Sequence, residues 1–248
     1  MKKFGLIGHP IAHSLSPALF KAAYDGKYAY DLIEGEDFET SYRRFIEEYD
    51  AINVTAPFKE AAFAKADILS EECASTGATN LLVKTPEGIK AYNSDFLGVR
   101  MWLSEVTEDL KGVKILIVGL GGAGKAAAAA AESLGMDVFR MNRTVRDSRT
   151  LPLDKFRECL READIMIYNI PAAIPELKEL TDSDFNEDKP KLILEANYKD
   201  PSLRETMESF GSKAVYTGGE TWLLYQAMTG YKILTGEKPD LTKMSDVL

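Results

Sequence analysis

Cysteine and histidine are scarce in this chain of 248 residues, which contains two of each. Cys73 and Cys159 stand far apart and form no Cys-x-x-Cys pair, so neither a zinc site nor a disulfide framework is indicated. The histidines, His9 and His13, are too few for a typical histidine-rich metal site. We therefore expect a protein without a bound metal in a reducing compartment.

Long apolar runs are also missing, and lysine and arginine are fewer than aspartate and glutamate. No stretch reaches the about 20 apolar residues of a membrane-spanning helix. Because the sequence leads straight into a predicted strand, we expect no signal peptide. The net charge of −9 argues against nucleic acid and against anionic membrane surfaces, but not against an anionic substrate held by local basic groups. We expect a cytoplasmic protein whose partner is a small molecule, with neither nucleic acid nor membrane.

The remaining composition is that of a globular enzyme, with 45% hydrophobic and 28% charged residues. Apolar runs typical of strands alternate with helical patterns, which predicts an α/β fold long enough for two modest domains. In the N-terminal part we predict strands at Lys3–Gly8, Tyr28–Leu32 and Ala51–Val54, and one continuous helix over Glu60–Cys73. The C-terminal tail is expected to pack back on this first domain.

The most informative stretch, residues 113–144, has the sequence VKILIVGLGGAGKAAAAAAESLGMDVFRMNRT. A predicted strand, Lys114–Val118, is followed by Gly119, Gly121 and Gly124, then by an alanine-rich helix and a second strand, Asp137–Met141. This is the βαβ unit that binds dinucleotides. Its glycines allow a tight turn, close approach of the backbone to a pyrophosphate, and close packing of helix on strand. The helix N-terminus offers free N–H groups to the phosphates.

The residues that follow the second predicted strand, Asp137–Met141, indicate which dinucleotide the protein binds. An enzyme that uses NAD normally places Asp or Glu there to hold the ribose 2′-hydroxyl. This chain has Asn142, Arg143, Thr144 and Arg146 instead. A guanidinium binds a phosphate bidentately, whereas a carboxylate repels it. We therefore predict NADP as the cofactor.

Three further stretches carry polar side chains at positions suited to a ligand or to a helix cap. Ser14 and Ser16 precede Pro17, which opens a predicted helix; either serine is expected to cap that helix, and a helix N-terminus with two hydroxyls also suits a carboxylate. Lys59 lies in NVTAPFK, just past the end of a predicted parallel strand, where open α/β sheets bind ligands. Asp95 is expected to cap the next helix unless it has a functional role.

Together these motifs resemble the shikimate dehydrogenase family over essentially the whole chain. GHPIAHSLSP, NVTAPFK, GATN with AYNSD, VGLGGAGKA, MNRT and WLLYQA occur in the family's order and spacing. The resemblance implies two α/β domains with a cleft between them. Residues 1–98 plus 219–248 would form the substrate-binding catalytic domain, and residues 99–218 a Rossmann-type, doubly wound NADP-binding domain. The implied reaction is the reversible NADPH-dependent reduction of 3-dehydroshikimate to shikimate in chorismate and aromatic amino acid biosynthesis, by a monomer or homodimer.

The resemblance also implies roles for individual residues. The implied catalytic pair is Lys59 and Asp95. The implied substrate-binding residues are Ser14, Ser16, Thr55, Asn80, Tyr198 and Gln226. The implied cofactor-binding residues are Gly119, Gly121, Gly122, Ala123, Gly124, Asn142, Arg143 and Thr144.

The chain also departs from the family pattern, mainly in the half implied to bind nicotinamide. Phe20 stands where the family usually has histidine, and residues 169–173, Asn-Ile-Pro-Ala-Ala, replace its N-A/T-T-P-x-G-M loop. The strand end D-x-x-Y-x-P begins here with Glu195. Two alternatives therefore stay open beside shikimate dehydrogenase: a paralogue that acts on quinate, and a catalytically weak NADP-binding sensor.

Overall fold

The computed structural model describes residues 2–248, and the chain divides into two compact units. The first unit contains the residues up to Gly98 together with Leu224–Leu248, and the second contains Val99–Leu223. The chain changes unit inside two helices, Ser94–Val106 and Gly219–Thr235.

The first unit has one mixed six-stranded sheet, in the order β2-β1-β3-β5-β6-β4. Its strands are β1 (Lys3–Gly8), β2 (Ala29–Glu34), β3 (Ala51–Val54), β4 (Ile68–Leu69), β5 (Leu81–Thr85) and β6 (Gly88–Tyr92). Its helices, ending with the one that leads into the second unit, are α1 (Ser16–Ala23), α2 (Phe38–Glu48), α3 (Lys59–Ala64), α4 (Glu71–Thr76) and α5 (Ser94–Val106). Strand β1 is parallel to both β2 and β3, whereas β5 is antiparallel to its two neighbours. The three strands predicted in this part are confirmed, the second one shifted to Ala29–Glu34.

The predicted continuous helix over residues 60–73 is wrong, because the segment forms α3, β4 and α4. The main chain of Asp67 donates to the carbonyl of Ile89 (2.9 Å), and its carboxylate accepts the N–H of Ile89 (2.7 Å). Ser70 donates to the carbonyl of Ala91 (3.1 Å). Pairing with β6 therefore overrides the helix propensity of this segment.

The second unit has a sheet of six parallel strands in the order β12-β11-β10-β7-β8-β9. The strands are β7 (Lys114–Val118), β8 (Asp137–Met141), β9 (Thr150–Leu151), β10 (Ile165–Tyr168), β11 (Lys191–Glu195) and β12 (Ala214–Thr217). The helices are α6 (Gly122–Ser133), α7 (Phe156–Glu162) and α8 (Arg204–Glu208). The strand order reverses between β7 and β10, and doubly wound sheets bind ligands at the carboxyl ends of the strands at such a point.

The connection from β8 to β9 is unusual for parallel strands. Residues 142–149 span it without a helix, although such crossovers take about a dozen residues or more and are usually helical. Strand β9 is too short to show a periodic pattern, and the sequence did not predict it. The loop places a run of exposed residues directly after β8.

The chain finishes in the first unit with α9 (Gly219–Thr235), which begins in the second unit, and α10 (Leu241–Ser245). Helix α10 lies against α1, where Asp240 donates its N–H to the carbonyl of Ala23 (3.0 Å) and Met244 is buried. The expectation that the tail packs back on the first domain is therefore confirmed. Among the helices of residues 2–248, none has both the length and the apolar character needed to cross a bilayer.

A buried carboxylate stabilises the second unit. Asp184, 2% exposed, accepts hydrogen bonds from Arg157 Nε (2.8 Å), Arg161 Nε (2.7 Å) and the N–H of Thr181 (2.8 Å). Burial raises the pKa of this carboxyl, but the bonds from the arginines and Thr181 outweigh that effect and hold its pKa at about 2. The ionised form is therefore the one that stabilises the fold.

Asp184→Asn should lower the free energy of unfolding by about 2 kcal/mol at pH 7, the value that corresponds to the depressed pKa. Because the folded pKa lies below the unfolded one, this stabilisation is complete above pH ~4 and is lost as pH falls toward ~2. Urea unfolding of both proteins across this range checks the prediction. Asp182→Asn is the matched control, since Asp182 is highly exposed and pairs at the surface with Lys213. A difference between wild type and Asp184→Asn that stays constant down to pH 2 would contradict the assignment.

Candidate active site

The pair Lys59–Asp95 is the chemical centre of the first unit. Lys59 is the first residue of α3, and Asp95 is the second residue of α5. Lys59 Nζ donates a hydrogen bond to Asp95 Oδ2, and the two side chains are 23% and 15% exposed. The fold thus brings together the two residues of the predicted catalytic pair. Their partial burial strengthens the electrostatic interaction and still leaves solvent access.

Asn93, rather than Asp95, caps helix α5, so the expected capping role of Asp95 is wrong. Asn93 Oδ1 accepts the N–H of Phe96 (3.1 Å), and Asn93 Nδ2 donates to the carbonyl of Ala78 (3.0 Å). This capping fixes the start of the helix against the preceding loop. The carboxylate of Asp95 is turned toward Lys59 instead.

The backbone around Lys59 is anchored to the carboxyl ends of β1 and β3. Thr55 donates its N–H to the carbonyl of Ile7 (2.9 Å), and Phe58 donates to the carbonyl of Thr55 (3.0 Å). The loop after β1 joins them, because His9 donates to the carbonyl of Ala56 (3.2 Å). Thr55, a predicted substrate-binding residue, therefore lies at the same sheet edge as the loop that leads to Ser14.

Ser14 and Ser16 lie together at the start of α1. Neither is assigned as its N-cap residue, but the Ser14 hydroxyl takes up one free N–H of the first turn, as expected for one of the two serines. The N-cap residue is Leu15, without a capping side-chain bond. Ser14 Oγ accepts the N–H of Ser16 (3.2 Å) and donates to Ser16 Oγ (3.1 Å). The carbonyl of Ser16 accepts the hydroxyl of the buried Tyr231 (3.0 Å). The two hydroxyls thus form a partly exposed pair at a helix N-terminus, an arrangement that suits a carboxylate.

Ser16→Ala should raise the KM for a carboxylate substrate about tenfold, the effect of losing one hydrogen bond to a charged group. The melting temperature should change little, since Leu15 holds the N-cap position. Steady-state kinetics and thermal unfolding of one preparation separate the two effects. Ser75→Ala is the control, because it also removes a hydroxyl near a helix end. An unchanged KM with a lowered melting temperature would make Ser16 a structural residue.

Ser94 links two predicted substrate-binding residues, Asn80 and Gln226. Asn80 Nδ2 donates to Ser94 Oγ (3.0 Å), Asn80 Oδ1 accepts the N–H of Ser94 (2.7 Å), and Ser94 Oγ donates to Gln226 Oε1 (3.2 Å). Helix α9 can approach this closely because α5 has Gly98, where a Cβ would lie 2.7 Å from the nitrogen of Gln226. Sequence reasoning did not assign Ser94, although it precedes Asp95 in the N-S-D motif.

The glycine turn of the second unit has the geometry of a dinucleotide site. Gly119 directly follows β7 and has a φ of +86°, and a Cβ on Gly124 would lie 1.8 Å from the carbonyl oxygen of Gly119. A Cβ on Gly121 would have no atom within 4 Å. Gly121 is the N-cap residue of α6, and because it is a glycine no side chain caps the N–H groups of the first turn. Gly119 and Gly124 therefore close the turn. Gly121 leaves the helix N-terminus open to a pyrophosphate. Gly122 and Ala123 form the first turn of that helix.

Asn142 joins this turn to the loop after β8. Its Oδ1 accepts the N–H of Leu120 (3.4 Å), and its Nδ2 donates to the carbonyl of Thr144 (3.1 Å). Arg143 and Thr144 are exposed beside it. The residues predicted to hold the 2′-phosphate therefore lie at the carboxyl end of β8, the strand next to the glycine turn, and no carboxylate occupies their positions.

Comparison with known proteins agrees with this geometry. A profile of the shikimate dehydrogenase substrate binding domain matches residues 6–82, and a profile of the NAD binding domain of D-isomer specific 2-hydroxyacid dehydrogenases matches residues 88–194. The shikimate dehydrogenase (NADP(+)) of Staphylococcus aureus is 32% identical, over 98% of this chain and 96% of that protein. The chain belongs to the shikimate dehydrogenase family. The predicted family and α/β fold class are thereby confirmed.

Solved structures of shikimate dehydrogenases extend the agreement to three dimensions. The Thermus thermophilus shikimate 5-dehydrogenase, in complex with NADP(H) and shikimate, is 27% identical and aligns over 100% of this chain and 98% of its own, with a TM-score of 0.81. The shikimate dehydrogenase of Thermotoga maritima aligns over 99% of this chain and 97% of its own, with 28% identity and a TM-score of 0.77. The quinate dehydrogenase of Corynebacterium glutamicum, at 21% identity, shares the fold.

Two departures from the shikimate dehydrogenase pattern have structural explanations. Phe20 is fully buried, with ring centroids 4.6 Å from Tyr30 and 4.8 Å from Tyr231, so it belongs to the core of the first unit. Glu195 is a buried carboxylate at the end of β11 that accepts the N–H of Ser202 (2.6 Å) and the hydroxyl of Tyr216 (2.7 Å).

Tyr198 lies in the loop that Glu195 fixes, and so in the second unit. Burial raises the pKa of the Tyr198 phenol, which therefore stays protonated at neutral pH. Tyr198 therefore belongs to the same unit as the residues predicted to bind the cofactor. The other predicted substrate-binding residues belong to the first unit.

Proposed function

We propose that this protein is an NADP-dependent shikimate dehydrogenase, which reversibly reduces 3-dehydroshikimate to shikimate. The observation that carries the proposal is the Lys59–Asp95 ion pair, in a member of that family, on the same unit as the hydroxyls of Ser14 and Ser16. A protein that only senses a ligand has no need of such a pair. The unit that contains the pair takes the substrate, and the unit that contains the glycine turn takes the cofactor.

The chemistry of a ketone reduction fits Lys59 and Asp95. Negative charge develops on the carbonyl oxygen as the ketone becomes an alcohol. The Lys59 ammonium stabilises that charge and gives the oxygen its proton. The Asp95 carboxylate orients Lys59 Nζ and accepts a hydrogen bond from a substrate hydroxyl. In the direction of shikimate oxidation, Lys59 takes the proton back.

In the proposed enzyme the substrate is held by Ser14, Ser16 and the Asn80–Gln226 pair. The serine hydroxyls at the N-terminus of α1 bind the substrate carboxylate. Thr55, Asn80 and Gln226 hold the ring hydroxyls, with Ser94 fixing the two amides relative to each other. Orienting the substrate in this way lowers the entropic part of the barrier.

The second unit fits NADP. The open N-terminus of α6 at Gly121 accepts the pyrophosphate, and Arg143 with Asn142 and Thr144 holds the 2′-phosphate. NADPH, when bound, supplies the hydride that the ketone accepts. The residues of this chain contribute binding, orientation and the proton.

The test is the initial rate of cofactor reduction by the purified protein with each of two acids, shikimate and quinate, and each of two cofactors, NADP and NAD. We expect shikimate with NADP to give the highest kcat/KM. NADP should be preferred over NAD by a factor of about ten or more, since one charge-assisted contact with the 2′-phosphate already accounts for that ratio. A higher kcat/KM for quinate would identify the paralogue, and tight NADP binding without turnover on either acid would identify the sensor.

A further inference from the structure

Tyr168 holds a loop of the second unit through its phenol hydroxyl. It is the last residue of β10 and is fully buried. Its hydroxyl donates to the carbonyl of Ala172 (2.7 Å) and accepts the N–H of Ile174 (3.2 Å). One phenol therefore closes residues 169–174 into a compact turn. Burial raises its pKa to about 12, so the hydroxyl keeps its donor proton at any working pH.

This loop borders the glycine turn that receives the dinucleotide. Asn169 donates its N–H to the carbonyl of Val118 (2.7 Å), at the end of the neighbouring strand β7. A Cβ on Gly119 would lie 2.9 Å from Ile170 Cγ1, so the loop packs directly on the first glycine of the turn. Strands β7 and β10 are the two between which the strand order reverses. The loop therefore lines the crevice in which a doubly wound sheet binds its ligand.

The conformation of the loop 169–174 depends on hydrogen bonds from residues outside the loop, because its own side chains supply few. Pro171, Ala172 and Ala173 are exposed and have short apolar side chains that cannot form hydrogen bonds. Asn197, in the loop after β11, donates to the carbonyl of Pro171 (3.4 Å). The Tyr168 hydroxyl makes a shorter hydrogen bond than Asn197 does, and it bonds both the carbonyl of Ala172 and the N–H of Ile174. The shape of the loop follows mainly from this phenol.

We propose that Tyr168 is a positioning residue for the nicotinamide half of bound NADP, which it serves by holding residues 169–174 in the shape that receives the ring. The proposal rests on the cofactor of the proposed function. The adenosine half is held elsewhere, by the helix N-terminus at Gly121 and by the loop after β8. Tyr168 should therefore affect one half of the cofactor and leave the other unchanged.

Tyr168→Phe tests this division. The variant keeps the ring in the core but leaves the buried N–H of Ile174 unpaired, so the loop must shift. We expect the Kd of NADP, measured by calorimetry, to rise about tenfold, as two weakened hydrogen bonds allow. The Kd of adenosine 2′,5′-bisphosphate, which lacks the nicotinamide, should change less than about twofold. Equal weakening of both ligands, or no change in either, would overturn the proposal.

Tyr24→Phe is the matched control. Tyr24 is a buried tyrosine of the first unit whose hydroxyl donates to the carbonyl of Glu237 (3.1 Å), and burial raises its pKa to about 12 as well. This variant should lose stability comparable to that lost by Tyr168→Phe and bind both ligands as the wild type does. Weaker NADP binding in the control would show that loss of stability alone explains the effect.

Hydrogen exchange on the wild type gives a second measurement, which holds even if Tyr168→Phe folds poorly. NADP should slow exchange of the backbone amides of Ile170 and of residues 172–174, and adenosine 2′,5′-bisphosphate should not. Equal protection by the two ligands would contradict the proposal. Inactivity on shikimate with intact cofactor binding would overturn only the proposed function, whereas failure of the wild type to bind either ligand would overturn both proposals.

Discussion

Lys59→Ala should lower kcat for shikimate oxidation by about 10²–10⁴-fold, the usual contribution of a general acid–base group. The reason is that the variant removes both the positive charge near the developing oxyanion and the group that exchanges the proton. KM should change much less, because the serines and the amides of Asn80 and Gln226 keep their contacts with the substrate. Steady-state kinetics at saturating NADP measure both constants.

Lys65→Ala is the control for this prediction. Lys65 directly follows the same short helix, α3, and pairs at the surface with Glu39 (2.9 Å). Its removal subtracts one positive charge from the same region and should leave kcat within about twofold, since an exposed pair contributes little. A Lys59→Ala variant that keeps a kcat near that of Lys65→Ala would remove Lys59 from the mechanism.

Arg143→Ala should raise the KM for NADP about ten- to hundredfold, because a charge-assisted contact to phosphate is worth roughly 1.5–3 kcal/mol. KM for NAD should stay nearly unchanged, since NAD has no 2′-phosphate for the guanidinium to bind. The ratio of the two constants is the informative quantity, because it cancels any general effect on the fold.

Arg44→Ala is the control for cofactor selection. Arg44 is an exposed arginine of the first unit, paired with Glu48 (3.3 Å), and its removal changes the net charge by the same amount. Both Michaelis constants should match those of the wild type in this control. If Arg143→Ala raised KM for NADP and NAD equally, its role would be structural and not selective.

The elements that the sequence predicts best are those whose local pattern agrees with the tertiary environment. Lys114–Val118 and the following glycines predict their structure directly, because a buried parallel strand and a phosphate-binding turn both have local signatures. The family resemblance predicts the pairing of Lys59 with Asp95, and the fold brings the two side chains together. Arg143 was placed correctly at the end of β8 from its position alone.

The features that the sequence does not predict depend on contacts with residues that are distant along the chain. The segment 60–73 has a helical pattern, and its break at β4 follows from pairing with β6. Asn93 and Asp95 are both good capping residues, and only the folded structure shows that Asn93 bonds to Phe96 and Ala78 while Asp95 bonds to Lys59. Tyr168 ends an apolar strand, and only the folded structure shows its hydroxyl crossing to Ala172 and Ile174.

Hydride transfer between NADPH and 3-dehydroshikimate is the reaction that we propose for this chain. The most direct measurement incubates the purified protein with 3-dehydroshikimate and NADPH that carries deuterium at the transferred position, and follows the product by NMR. We predict shikimate with deuterium on the carbon that bore the ketone, at a rate reduced at least about hundredfold in Lys59→Ala. Shikimate without the label, or no shikimate from a protein that binds both ligands, would show that the proposed hydride transfer is wrong.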